Sequence, residues 1–186
     1  MSQSVTEVYW DALVHPIFQN RPLYLAATRQ GLCLITQPHE PFETLQLWIG
    51  KKIPGAKLVH DPGRMAEYTH QLREYFDGNR TSFAFPFDLR GTAFQVSVWQ
   101  TLTRIPYGHI QSYSEIAEAV GKPKAVRAVG AANGANPIPF VIPCHRVIGK
   151  SSALTGYRGG LQVKGELLRL EGFDEYTNKG HSRFQF

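Results

Sequence analysis

The chain has 186 residues, 42% of them hydrophobic and 19% charged, which suits one large globular domain or two small ones with a sizeable core. No apolar run approaches a membrane span. Only two cysteines are present, Cys33 and Cys144, with no CxxC and no Cys/His cluster, which argues against a disulfide framework or a structural zinc site and for a reducing compartment. The formal charge of +5 is unevenly spread: nine basic side chains balance nine acids over residues 1–90, whereas residues 91–186 carry eleven against six. The whole excess lies in the half that holds Cys144, so either the partner is polyanionic, nucleic acid first, or this is an ordinary solvated surface.

Residues 1–7 show no basic stretch followed by an apolar one, so no secretory signal is expected. Residues 23–28 and 32–36, joined through Arg29-Gln30-Gly31, read as a β-hairpin, with Cys33 packed in its core. A short helix is expected over 42–51. Asp61-Pro62 reads as an N-cap followed by proline at the first helical position, opening a helix whose one face carries Met65, Tyr68, Leu72, Tyr75 and Phe76 and which Gly78 ends. Phe83, Phe85, Phe87 and Leu89 alternate with other residues, which predicts a strand. The charge shift and Arg90-Gly91 mark the junction between an N-terminal structural domain, 1–90, and a C-terminal domain, 91–186.

In the second half, Thr92-Ala93-Phe94-Gln95 and Ser112-Tyr113-Ser114-Glu115 both fit capping boxes. The first opens a helix that turns Phe94, Val98, Trp99 and Leu102 to a core and ends before Pro106. The second opens a helix through Ile116, Ala117 and Val120. Gly121-Lys122-Pro123 stops that helix and starts another, over 124–133, giving the outline of a helix-turn-helix. Lys122, Lys124 and Arg127 near its start suit phosphates. Its remaining residues, among them Ala128, Ala131 and Asn133, offer few long base-reading side chains. This predicts close approach to DNA with little sequence preference and one long side chain, Arg127, available to insert. The competing reading is tight helix packing against Trp99. A last helix over 160–170 presents Leu161, Leu167, Leu168 and Leu170. It leaves Glu171 at a C-terminus that disfavours an acid by ~0.3–1 kcal/mol, so Glu171 reads locally as an exposed side chain at a frayed end.

The stretch Pro139-Phe140-Val141-Ile142-Pro143-Cys144-His145-Arg146-Val147-Ile148 sets a thiol, an imidazole and a guanidinium between two apolar runs. Pro143 fixes its own φ and biases Ile142 toward extended backbone, and Val147-Ile148 reads as a short buried strand. A soft nucleophile beside a base on a stiff backbone suits nucleophilic sulfur chemistry, against the bland reading of a small buried hydrophobe.

With Asn136-Pro137-Ile138-Pro139 ahead of it, this stretch resembles the O6-alkylguanine-DNA alkyltransferase family, the methylated-DNA–protein-cysteine methyltransferases. The likeness extends over at least residues 90–173, through Tyr107-Gly108, Ser112-Tyr113, Lys124 to Gly130 and Gly156 to Gly160; residues 1–90 match only in outline. The resemblance implies an α+β protein: an N-terminal domain with a small antiparallel sheet and helices, and a mostly helical, winged-helix-like C-terminal domain with the helix-turn-helix. It implies a DNA-repair protein that flips O6-alkylguanine, and O4-alkylthymine, out of the duplex and moves the alkyl group irreversibly to its own cysteine. By the same resemblance Cys144 is the acceptor, His145 the base acting through a water, and Glu171 the acid that orients His145. Asn136 braces the Cys144 segment, Tyr113 protonates the departing guanine beside the target phosphate, and Arg127 enters the duplex in place of the flipped nucleotide. Lys124, Ala128, Ala131 and Asn133 join Tyr113 and Arg127 at the DNA. Backbone of Cys144, Val147 and Arg158 hydrogen-bonds the base, and Pro139 and Tyr157 wall its pocket. Arg158 replaces a small residue of many relatives, adding a phosphate contact or narrowing the pocket. No cofactor and no metal are implied. The implied partner is double-stranded DNA carrying alkylated bases, with no membrane, for a monomer in the cytoplasm, or in the nucleus of a eukaryote. Cooperative packing along DNA stays open. The alternatives are a non-catalytic lesion-binding protein, a winged-helix regulator with a redox cysteine, and a cysteine hydrolase.

Overall fold

The computed structural model describes residues 4–149 and 156–173. The chain divides into two compact units, Met1–Arg90 and Gly91–Phe186. Among the described residues no helix is long and apolar enough to cross a membrane.

The first unit is built on one sheet of β1 (Glu7–Leu13), β2 (Leu23–Thr28), β3 (Gly31–Ile35) and β4 (Lys57–His60), in the order β3-β2-β1-β4. The predicted hairpin is β2–β3, antiparallel, with a shift of register between Ala26 and Ala27. Gly31 takes φ +145°, and a Cβ there would stand 2.3 Å from the Pro86 carbonyl oxygen, so only glycine lets the two backbones meet. The sheet extends beyond the hairpin: β1 pairs antiparallel with β2, and β4 adds parallel to β1, making the sheet mixed. Alternation along β1 divides its two faces. Val8 and Trp10 pack with α1 (Phe42–Lys52) through Leu45 and Ile49, while the Tyr9 ring lies under the Arg64 guanidinium of α2 (Pro62–Phe76) at 4.5 Å. As expected, Asp61 caps α2 by accepting the Arg64 backbone N–H at 3.0 Å, with Pro62 leading the helix.

The strand expected over Phe83–Leu89 does not form a ladder; one bridge joins Leu32 and Phe87. Pro86 has no N–H to give. The Ala84 N–H donates to the Gln71 Oε1 at 2.9 Å instead of to a neighbouring strand. The aromatic alternation serves α2, since Phe83 packs on Tyr75 and Phe85 on Tyr68.

The second unit contains α3 (Ala93–Leu102), β5 (Gln111–Ser112), α4 (Tyr113–Ala119), α5 (Val126–Gly134), a 3₁₀ turn at Cys144–Arg146, β6 (Val147–Ile148) and α6 (Leu161–Leu170). Both capping boxes are closed, Thr92 with Gln95 and Ser112 with Glu115, and each cap contributes about 1 kcal/mol. Val98, Trp99 and Leu102 are buried, and the Trp99 indole N–H donates to the Ala132 carbonyl at 2.8 Å, locking α3 to α5. Phe94 is only half-buried, with the Lys122 ammonium 5.2 Å from its ring centre. The second helix of the pair begins two residues later than expected. Pro123 takes the second position of a β-turn that the Ala125 N–H closes onto the Lys122 carbonyl at 2.8 Å, so Lys122 and Lys124 belong to the turn and not to α5. β5 runs parallel to β6, pairing Gln111 with Val147 and Ser112 with Ile148. This pairing fixes the start of α4, and hence Tyr113, beside the strand that leaves Cys144.

Candidate active site

The Cys144 turn is held from three sides. From the N-terminal side, Asn136 spans the approach: its amide donates to the Ile142 carbonyl at 2.8 Å and its Oδ1 accepts the Ile138 N–H at 3.0 Å. Within that clasp Phe140 adopts φ +70°, a left-handed conformation that costs a side-chain-bearing residue ~1–3 kcal/mol and that the full burial of its ring maintains. From α5, the Asn133 amide donates to the Cys144 carbonyl at 3.4 Å. From the C-terminal side comes α6, whose final carboxylate, Glu171, reaches the two residues after the cysteine.

Glu171 is 6% exposed, against the local reading of a solvated end. Its Oε1 lies 2.8 Å from His145 Nε2 and accepts Arg146 Nη2 at 2.8 Å, and its Oε2 accepts Arg146 Nε at 2.9 Å and the Gly108 N–H at 3.1 Å. Gly108 makes that bond from a left-handed turn, φ +74°, just after Tyr107, whose hydroxyl donates to the Leu170 carbonyl at 3.1 Å. Burial alone would raise the Glu171 carboxyl. The hydrogen bonds and charges of His145 and Arg146 outweigh it and hold the group below the usual carboxylate range. His145 is fully buried, and that burial pulls it below the ordinary histidine value although Glu171 opposes the shift. With Arg146 already matching the carboxylate, His145 is neutral at neutral pH. A neutral ring donates from Nε2 to Glu171, which leaves Nδ1 as its basic nitrogen.

Cys144 keeps 4% exposure, whereas Cys33 has none. The Cys33 thiol donates to the Ala26 carbonyl at 3.3 Å and is pushed up to about 12 by burial, as a packing residue should be. Burial also pushes the Cys144 thiol up, but four groups pull the other way: the polar side chains of Asn136 and Tyr157, and the positive charges of Arg158 and Lys164. At Cys33 the Asp88 carboxylate adds to the effect of burial, whereas the charged groups acting on Cys144, Arg158 and Lys164, are both cations and favour an anion on sulfur.

Of the residues expected from sequence to form a base pocket, Tyr157 and Arg158 act on the Cys144 sulfur and the Val147 N–H donates to the Cys144 carbonyl. Pro139, Val147 and Tyr157 are buried and Arg158 is half-buried. The DNA-facing set divides. Arg127, Ala128 and Ala131 are exposed on one side of α5, and Lys124 is exposed in the turn before it. Tyr113 is half-buried against α5, where a Cβ added at Gly130 would stand 4.0 Å from its ring. Asn133 departs from expectation: at 4% exposure it faces inward to the Cys144 carbonyl, because the helix periodicity that exposes Ala128 and Ala131 turns Val129, Ala132 and Asn133 to the core. Two residues at the site had no expected role. Arg146 donates from Nη1 to the Ile105 carbonyl as well as to Glu171. Lys164, with no exposed surface, donates to the Val147 carbonyl at 2.6 Å. Lys164 could have been found from spacing, since it shares a helical stripe with Leu167, Leu168 and Glu171.

Residues 93–173 match the family model described as "6-O-methylguanine DNA methyltransferase, DNA binding domain", and residues 21–89 match its "ribonuclease-like domain". The chain is 44% identical over 171 residues to the inducible methylated-DNA–protein-cysteine methyltransferase of Bacillus subtilis, covering 92% of this chain and 94% of that protein. It is 55% identical over 153 residues to the methylated-DNA–protein-cysteine methyltransferase of Mycobacterium bovis, covering 81% and 86%. The crystal structure of Mycobacterium tuberculosis OGT in complex with DNA superposes with a TM-score of 0.74 at 42% identity, over 88% of this chain and 92% of that one.

Proposed function

This chain belongs to the methylated-DNA–protein-cysteine methyltransferase family, repairing DNA by taking an alkyl group onto one of its own cysteines, and we propose that Cys144 is the acceptor. The observation that carries the assignment is the buried relay beside it. His145 meets Glu171 at 2.8 Å, Arg146 keeps that carboxylate anionic, and the sulfur is ringed by Asn136, Tyr157, Arg158 and Lys164.

The alkylated base lies inside a stack, so sulfur reaches it only after the nucleotide swings out, at a cost of a few kcal/mol. Arg127, exposed at the start of α5, fills the vacated space. The small exposed faces of Ala128 and Ala131 let the helix approach the backbone, and Lys124 supplies a phosphate contact. The extruded base enters between Pro139 and Tyr157, with the Val147 region as its floor. His145 Nδ1 takes the thiol proton through a water, becoming imidazolium against Glu171. The thiolate lone pair then forms the S–C bond as the C–O6 bond breaks, its electron pair passing to the guanine. Tyr113 protonates that guanine, and His145 returns a proton to the tyrosinate through solvent, so protons and charge balance. A thioether is not readily hydrolysed, so each molecule acts once. Arg158 narrows the pocket mouth and favours small alkyl groups. The protein works as a monomer.

The test is stoichiometry. With a duplex carrying O6-methylguanine in excess, methyl transfer should saturate at one group per chain and leave the DNA repaired. Continued turnover, or tight binding to the lesion with no transfer, would overturn the reading.

A further inference from the structure

α6 grips the Cys144 turn at two points. Glu171 holds His145 and Arg146 from the end of the helix, and Lys164, seven residues earlier and so on the same stripe, places Nζ 2.6 Å from the Val147 carbonyl. The Val147 N–H in turn donates to the Cys144 carbonyl, closing the turn. The ammonium is therefore tied to the backbone of the turn that carries the sulfur, and its four-carbon stem is completely buried. A buried ammonium is costly, and packing alone would be served better by methionine or leucine.

We propose that Lys164 is a positioning residue for alkyl transfer, an internal counter-cation that sets how much of Cys144 is thiolate. This rests on Cys144 being the acceptor and adds a determinant of its reactivity. The groups that face this space are Cys144, His145 and Arg146 on the turn, Tyr157 and Arg158 from the segment before α6, Glu171 on α6 itself, and Tyr107 against Glu171 and Arg146. Arg146 and Glu171 neutralise each other, His145 is neutral, and Arg158 is half-exposed to water. Burial brings Lys164 down to about 8 while the sulfur's charge acts to raise it, and burial raises the thiol. At about 8 Lys164 is still mostly ammonium at neutral pH, so when the thiol proton leaves to His145 through the water, the thiolate finds its counter-charge already inside the buried cluster and no ion need be imported.

The experiment follows the pH dependence of Cys144 carbamidomethylation by iodoacetamide, read on the Cys144 peptide so that Cys33 does not interfere. Lys164→Met should move the midpoint up by about one pH unit or more, roughly a tenfold loss of rate at neutral pH, while Lys164→Arg keeps the midpoint at or below that of the unaltered protein. A uniform loss with an unmoved midpoint would mark a structural role and overturn the proposal. Should Lys164→Met fail to fold, the Lys164 Cε resonance can be titrated in the unaltered protein and in Cys144→Ser. The midpoint should fall by about half a unit or more in the serine variant, and an unchanged midpoint would overturn the proposal. Neither readout uses DNA or methyl transfer, so failure here is distinct from failure of the acceptor assignment.

Discussion

Glu171→Gln separates the two tasks of the buried carboxylate. It keeps the shape and removes the charge, leaving the Arg146 guanidinium, whose side chain is only 8% exposed, without its partner. Breaking one side of a buried pair costs about 3–5 kcal/mol, because the remaining ion stays desolvated. For a chain of this size each kcal/mol moves the melting temperature by about 2–4 °C, so a fall of roughly 6–20 °C is expected by calorimetry. The His145 ring also loses the acceptor 2.8 Å from Nε2 that selects its tautomer, and single-turnover methyl transfer should slow by about 100-fold or more. A paired substitution distinguishes fold from chemistry. Arg146→Met with Glu171→Leu removes both charges together and should recover stability to within ~1–2 kcal/mol of the starting protein, since a well-packed apolar pair replaces a buried ion pair at little cost. Transfer should stay low in that double variant. Glu171→Gln with a loss under ~1 kcal/mol and transfer within about twofold would refute the reasoning.

Arg127→Ala should slow repair of duplex DNA by about tenfold or more, yet leave reaction with free O6-methylguanine base and global stability within ~0.5 kcal/mol unchanged, because the side chain is exposed; equal losses on both substrates would remove the insertion role. Arg158→Gly should raise the ratio of benzyl to methyl transfer from the free bases several-fold, and an unchanged ratio would mean that this side chain does not narrow the pocket. Stability should fall as pH drops below about 6.5, the unfolded histidine value, because burial holds folded His145 lower and the unfolded chain binds the proton first. Glu171, also held low, contributes stability that is complete above about 4.3 and lost as pH falls through its folded value; denaturant midpoints of the unaltered protein and His145→Gln check the first of these, which the variant should lack.

What was legible in the sequence was local chemistry. The capping boxes at Thr92 and Ser112, the Asp61-Pro62 helix start and the Arg29-Gln30-Gly31 hairpin turn depend on residues within a few positions of one another, and each is present. β1 was not legible because it is covered on both faces and so loses its two-residue rhythm, and β4 is a four-residue edge. Phe83–Leu89 carried the rhythm of a strand without becoming one, since a proline and the Gln71 amide took the places of ladder partners. At the site, Cys144 and His145 are adjacent and easily noticed. Glu171 looked misplaced at a helix C-terminus because its compensation comes from Arg146, 25 residues earlier. The place of Lys164 on the stripe of Leu167, Leu168 and Glu171 was legible from spacing, but the partner that its ammonium meets there, the Val147 carbonyl 17 residues away, was not.

The most direct measurement is the location of the transferred group. After reaction with duplex O6-methylguanine and proteolysis, the peptide containing Cys144 should gain the mass of one CH2, the Cys33 peptide should be unaltered, and Cys144→Ser should gain nothing. A methyl group found on Cys33, or on any residue of the Cys144→Ser variant, would contradict the account.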